Sequence, residues 1–80
     1  MKITVELVPD QAGGNPAQVE IYFDREGLEY LMKYLSKLKK AGDHCHFMTE
    51  AWGMYDLSED IQKEGNSLVH HLRVTLIEEP

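Results

Sequence analysis

One cysteine, Cys45, is present in 80 residues. It has no partner for an internal disulfide, which fits a reducing compartment such as the cytoplasm. No apolar run approaches the roughly 20 residues that cross a bilayer, so no membrane association is expected. The opening Met1-Lys2-Ile3-Thr4-Val5-Glu6 carries charge inside its apolar pattern and does not read as a secretory signal. Bases are also scarce. Eight Lys and Arg face fourteen Asp and Glu, for a net charge of −6. Residues 1–40 hold six acids and six bases, while residues 41–80 hold eight acids and two bases. The whole excess therefore lies in the second half. Such a surface repels phosphate backbones and excludes nucleic acid as the expected partner. It would attract a basic protein; the plainer alternative is that the acids only keep a small protein soluble.

What is present is enough for one domain over residues 1–80, with a thin core. Ile3-Thr4-Val5-Glu6-Leu7 alternates with period two and predicts a half-buried strand, with Thr4 and Glu6 outward. Pro9 ends it. Asp10 to Pro16 reads as a connection rather than a phosphate cradle, because a strand and not a helix follows. Gln18 to Phe23 predicts the second strand, paired with the first as an antiparallel hairpin. Val19, Ile21 and Phe23 are expected inward, Glu20 and Tyr22 outward.

Asp24 is placed to cap a helix. Phe23 and Leu28 have the spacing of a hydrophobic staple. Leu28, Leu31, Met32, Leu35 and Leu38 recur at helical spacing, predicting an apolar stripe on a helix of about four turns that stops at Gly42. Tyr30 and Tyr34 flank that stripe. Asp43 to Thr49 alternates as a third strand, with Cys45 and Phe47 on the core side and His44, His46 and Met48 on the other. Residues 50–66 lack sustained periodicity, which suggests a hidden short element or a functional loop. Leu68 to Ile77 reads as one long strand. Its outward set includes His71 and Arg73, and its inward set includes His70. Glu78-Glu79-Pro80 is a solvated tail. The expected fold is α+β in two layers: a four-stranded, mostly antiparallel sheet covered on one face by one amphipathic helix, in the order ββαββ. The other face is expected to be open, displaying Glu6, Glu20, Tyr22, His44, His46, Met48, His71 and Arg73.

Several constellations on that face could carry chemistry. His44, His46 and His71 could ligate a metal, since three protein ligands suit a catalytic zinc site. Two alternating histidines on a sheet are more often plain surface residues, and a site needs matched geometry as well as ligand types. His46 and His71 could act as base and acid with Arg73 holding an anion, but one helix leaves little concave volume for a substrate. Cys45 shares its parity with Phe47, so it reads as a small core hydrophobe and not as a nucleophile. Trp52 is the kind of side chain that anchors an interface and sits in an acidic loop. It could equally close one end of the core.

His46-Phe47-Met48-Thr49, Trp52-Gly53, Leu57-Ser58-Glu59, Gly65-Asn66 and Val69-His70-His71-Leu72-Arg73-Val74, in that order, resemble the immunity protein 32 family of bacterial polymorphic toxin systems. The resemblance covers about residues 44–77. It implies a small cytoplasmic protein, without a cofactor and not an enzyme, that neutralises a cognate toxin by occlusion. A basic toxin would suit the acidic excess. The expected contact set is Trp52, Asp56, Glu59 and Asp60 from the loop, with His46, His71 and Arg73 from the sheet. Two alternatives stay open: a metal-binding protein or metal-dependent hydrolase built on His44, His46 and His71, and a homodimer joined through the open sheet face.

Overall fold

The computed structural model describes residues 1–9 and 18–78. The expected connection over Asp10 to Pro16, and Glu79 and Pro80 of the tail, lie outside the described residues. The class is α+β as expected, with one helix and antiparallel pairing, but the strands form two sheets. Strands β1 (Ile3–Leu7) and β2 (Val19–Phe23) make the hairpin, with Ile3 opposite Phe23 and Leu7 opposite Val19. The two-residue strand β4 (Ser67–Leu68) joins the other edge of β1. Strands β3 (His44–Met48) and β5 (His71–Thr75) form the second sheet.

The single long strand expected over Leu68 to Ile77 is thus divided. Val69 N–H donates to Val5 O at 2.8 Å, whereas His70 O accepts from Thr49 N–H at 3.0 Å. Within two residues the chain leaves the first sheet and enters the second. Alternation alone cannot register this change, because both halves keep period two.

Helix α1 (Arg25–Leu35) has three turns, one fewer than expected. Asp24 caps it, its carboxylate accepting from Gly27 N–H at 2.7 Å. The helix ends well before Gly42. Ser36 N–H closes on Met32 O at 3.0 Å, and Ser36 Oγ donates to Lys33 O at 2.8 Å. Gly42, with φ of 94°, instead opens β3, donating to Leu76 O at 2.8 Å.

The helix is also rotated from the expected stripe. Its packed side is Gly27, Tyr30, Leu31 and Tyr34, and Met32 and Leu35 are exposed. Gly27 makes this approach possible: a Cβ there would lie 2.6 Å from Lys2 O and 2.9 Å from Ile3 Cγ1. The two tyrosines meet Phe47 edge-on, with ring centroids 6.2 and 6.4 Å away. Ile3, Val5, Phe47 and Leu57 form the buried centre, bordered by Cys45, Leu72 and Val74. The parity expected for β3 therefore holds, and burial pushes the Cys45 thiol pKa up.

The opposite face of β1 is not open. Thr4 and Glu6 are fully buried. Residues 50–66 account for this. They contain a 3-10 turn, Glu50–Trp52, ended by Gly53 in the left-handed region (φ 95°). Leu57 then bridges Thr49 in parallel and enters the core, and Ser58 N–H donates to Ile3 O at 2.6 Å. The rest of the segment runs beneath β1 and wraps the Glu6 carboxylate. That group accepts from Thr4 Oγ1 (2.6 Å), Gln62 N (2.9 Å), Asn66 Nδ2 (2.9 Å) and Lys63 N (3.4 Å). Burial works to raise the Glu6 pKa, but these four donors together outweigh it and hold the group below its ordinary value. Among the described residues, no helix is long and apolar enough to cross a membrane.

Candidate functional site

The outer face of the β3–β5 sheet is where the singled-out residues meet. The register places His46 opposite Arg73, and Met48 opposite His71. His46 and His71 are thus diagonal neighbours on one face, within reach of each other's rings. Their nitrogens, His46 Nδ1 and His71 Nε2, lie 2.7 Å apart, and the rings stack with centroids 5.0 Å apart. His44 stands edge-on to His46, also at 5.0 Å. Trp52 is delivered by the 3-10 turn that follows β3, and its ring lies 5.7 Å from that of His71. His44, His46, His71 and Trp52 make one aromatic ridge. Trp52 is 59% exposed, so it does not close the core.

A bond between two imidazoles needs one facing nitrogen to donate and the other to accept. The pair can share one proton there but not hold two. Burial lowers the His46 pKa, and repulsion from His44, His71 and Arg73 lowers it further. The neutral form of His46 is therefore favoured.

The proposed three-histidine ligand set is not assembled. His46 and His71 spend facing nitrogens on each other, and the ring N–H of His44 Nδ1 donates to Gly42 O at 3.1 Å. Among the described residues, no three His, Cys, Asp or Glu side chains converge as metal ligands. The fourth histidine serves the scaffold: His70 Nδ1 and Thr49 Oγ1 are hydrogen-bonded at 2.7 Å, where β3 meets the crossing segment.

The acids of the loop divide into different tasks. Asp56 is 8% exposed, so its carboxylate is not a surface contact. It accepts from the Tyr30 hydroxyl and from Met48 N–H, the latter at 3.2 Å, and so ties the loop to both the helix and β3. Burial raises the Tyr30 pKa, and the bond to Asp56 raises it further. Glu59 is exposed and accepts from Ala51 N–H at 3.2 Å, which secures the turn that carries Trp52. Asp60 is exposed and pairs with Lys2 Nζ at 2.7 Å. Arg73 is exposed beside His46.

The sequence pattern located His46, His71, Trp52 and Arg73 on one surface but did not foresee the work of Glu6, Asp56 and Asn66. Asn66 is buried, bonded to Glu6 and also to Glu20 Oε1 at 3.4 Å. Glu20 accepts from Tyr22 OH at 2.7 Å, and that bond, reinforced by burial, pushes the Tyr22 pKa up to about 12. A polar network thus replaces the open face expected around Glu6, Glu20 and Tyr22. Its trace in the sequence is the Thr4 and Glu6 pair, which alternation alone assigns to water.

The family model described as Immunity protein 32 matches residues 18–72 of the chain. The match begins just before β2 and extends into β5, so it includes the helix, the Trp52 turn and the histidine ridge. No curated protein and no solved structure matches the chain.

Proposed function

Because the chain belongs to the Immunity protein 32 family, we propose that it acts in the cytoplasm as a non-enzymatic antidote, binding a cognate toxin and neutralising it by occlusion. The supporting observation is the ridge of Trp52, His71 and His46. An exposed tryptophan held against a stacked histidine pair offers a large, rigid contact at low entropic cost. Arg73 lies on the same sheet face as the ridge, Glu59 is bonded to the turn that carries Trp52, and Asp60 follows Glu59 in the loop. Those acids would draw a basic toxin toward the ridge before contact is made. Asp56 is left out of the contact set, because its carboxylate is occupied inside the fold.

Co-expression with a candidate toxin from a neighbouring gene tests the proposal. Rescue of growth and co-purification of the two proteins are expected. Absence of both ends the immunity reading. The contact surface is tested separately with Trp52→Ala. Trp52 is exposed, so the variant should keep its melting temperature, yet it should weaken toxin binding by about 2 kcal/mol or more, roughly thirtyfold. Unchanged affinity by calorimetry would move the contact elsewhere on the molecule.

A further inference from the structure

A second surface, away from the ridge, is unfinished. Val19, Ile21 and Phe23 are 55%, 44% and 48% exposed although they alternate as a core face does. The packed side of α1, with Tyr30, Leu31 and Tyr34, is turned toward Phe47, and Gly27 at its start lies against Phe23. Leu28, Met32 and Leu35 follow one another at helical spacing beside that packed side, and Met32 and Leu35 are exposed. Phe23 and Leu28 line one shallow depression together with Asp24 and Arg25. Strand and helix thus meet at Phe23 and Leu28, and exposed apolar side chains extend along each of them.

The same three strand residues hold the free backbone edge. Val8 N–H donates to Gln18 O, and Asp24 N–H donates to Lys2 O. In an antiparallel pair the bonded residues alternate. Residues 18, 20, 22 and 24 therefore spend their amides on β1, and Val19, Ile21 and Phe23 direct theirs away from the sheet. β2 ends the strand order, with β1 as its one neighbour among the described residues. Within Val19–Phe23 there is no proline, no bulge and no lysine, and Glu20 is the one charged residue.

We infer that this edge is the interface of a symmetric homodimer, in which β2 pairs antiparallel with β2 of a second copy about an axis at Ile21. The sequence is self-complementary in that register. Ile21 meets Ile21 of the second copy, Val19 meets Phe23, and all three sit at hydrogen-bonded positions. The two three-stranded sheets become one of six strands. The same axis sets the two helices antiparallel on one face, where Leu28, Met32 and Leu35 of each cover the exposed apolar side chains. Charge supports a second copy over a basic partner. The start of the helix region carries Asp24, Glu26 and Glu29 against Arg25, while Lys33, Lys37, Lys39 and Lys40 with no acid mark its end. Antiparallel packing sets each acidic start beside a basic end, as a closed two-fold contact requires.

The test is sedimentation equilibrium of the full chain from about 5 to 500 µM. A reversible dimer is expected. Ile21→Lys and Met32→Lys should each raise the dimer dissociation constant about tenfold or more, with unchanged far-UV circular dichroism. On a Cys45→Ala background, Ile21→Cys should give a disulfide-linked dimer under mild oxidation, because directly paired bonded residues lie about 5.5 Å apart at Cα. A chain that stays monomeric at the highest concentration overturns the proposal. So does a wild-type dimer insensitive to both lysine substitutions, and so does a failure to cross-link where the dimer is populated. If the lysine variants lose toxin binding while the wild-type chain is monomeric, the edge receives the toxin and not a second copy. A monomeric variant that still protects cells shows that immunity and dimerisation are separate properties.

Discussion

Glu6 shows how one residue can be misassigned by a rule that is right for its neighbours. In a strand that alternates, a charged position is expected to face water. Here it faces four donors from three parts of the chain, and donors are what an ionised carboxylate requires. Glu6→Gln keeps the size but places an amide nitrogen, itself a donor, among donors. We expect a loss on the order of 3 kcal/mol, measured by chemical denaturation. A loss below about 0.5 kcal/mol would show that the network contributes little. The pH dependence follows the same chemistry. The folded pKa of Glu6 lies below its ordinary value of 4.5. The stability that its ionised form provides is present above that value and is lost as pH falls through the lower folded one. The glutamine variant should lack this part of the acid-side slope. His46 gives a second residue-level prediction. Its folded pKa lies below the ordinary 6.5, so the unfolded chain takes up the proton first. Stability is complete above 6.5 and declines as pH falls through the folded value. An NMR titration should find the His46 midpoint below 6.5; a midpoint above it would contradict the crowding of His44, His71 and Arg73.

At the scale of elements, much was legible and the failures have distinct causes. The cap at Asp24, the first three strands and the inward placement of Phe47 all follow from local pattern, and all are present. The helix is legible and its buried side only in part. Hydrophobicity points to Leu28, Leu31, Met32, Leu35 and Leu38, whereas packing keeps Leu31, adds Tyr30 and Tyr34 around a glycine, and leaves Met32 and Leu35 exposed. Gly27 is a weak residue in a helix by propensity, and alanine normally gains about 1 kcal/mol in its place. Here the added methyl would press on the backbone of Lys2. Gly27→Ala is expected to lose about 1–3 kcal/mol instead, read as a lower melting temperature. A gain in stability would mean that the helix can lift without cost. Residues 50–66 were opaque for a different reason. Their partners, Glu6, Ile3 and Tyr30, are distant in sequence, and no local periodicity encodes such contacts. The division of the last strand was hidden because it changes partners without changing parity.

For the molecule as a whole, charge and apolar surface are segregated. The acidic excess belongs to the half that carries the ridge, while the charge-balanced half carries the exposed apolar residues of β2. If Glu59 and Asp60 steer a basic toxin, reversing both to lysine should slow association about tenfold at low salt. Stopped-flow rates insensitive to the reversal and to ionic strength would remove steering from the account. Loss of the Asp60 pair with Lys2 should matter little to stability, because both groups are exposed.

β1 is enclosed on every side, and the enclosure is completed late. Ile3 receives its bond from Ser58, Glu6 its donors from residues 62–66, and Val5 its bond from Val69. A ribosome makes the first of these residues before the last, at about 5–20 residues per second. For roughly 3–13 seconds, β1 and a bare carboxylate must wait without their cover.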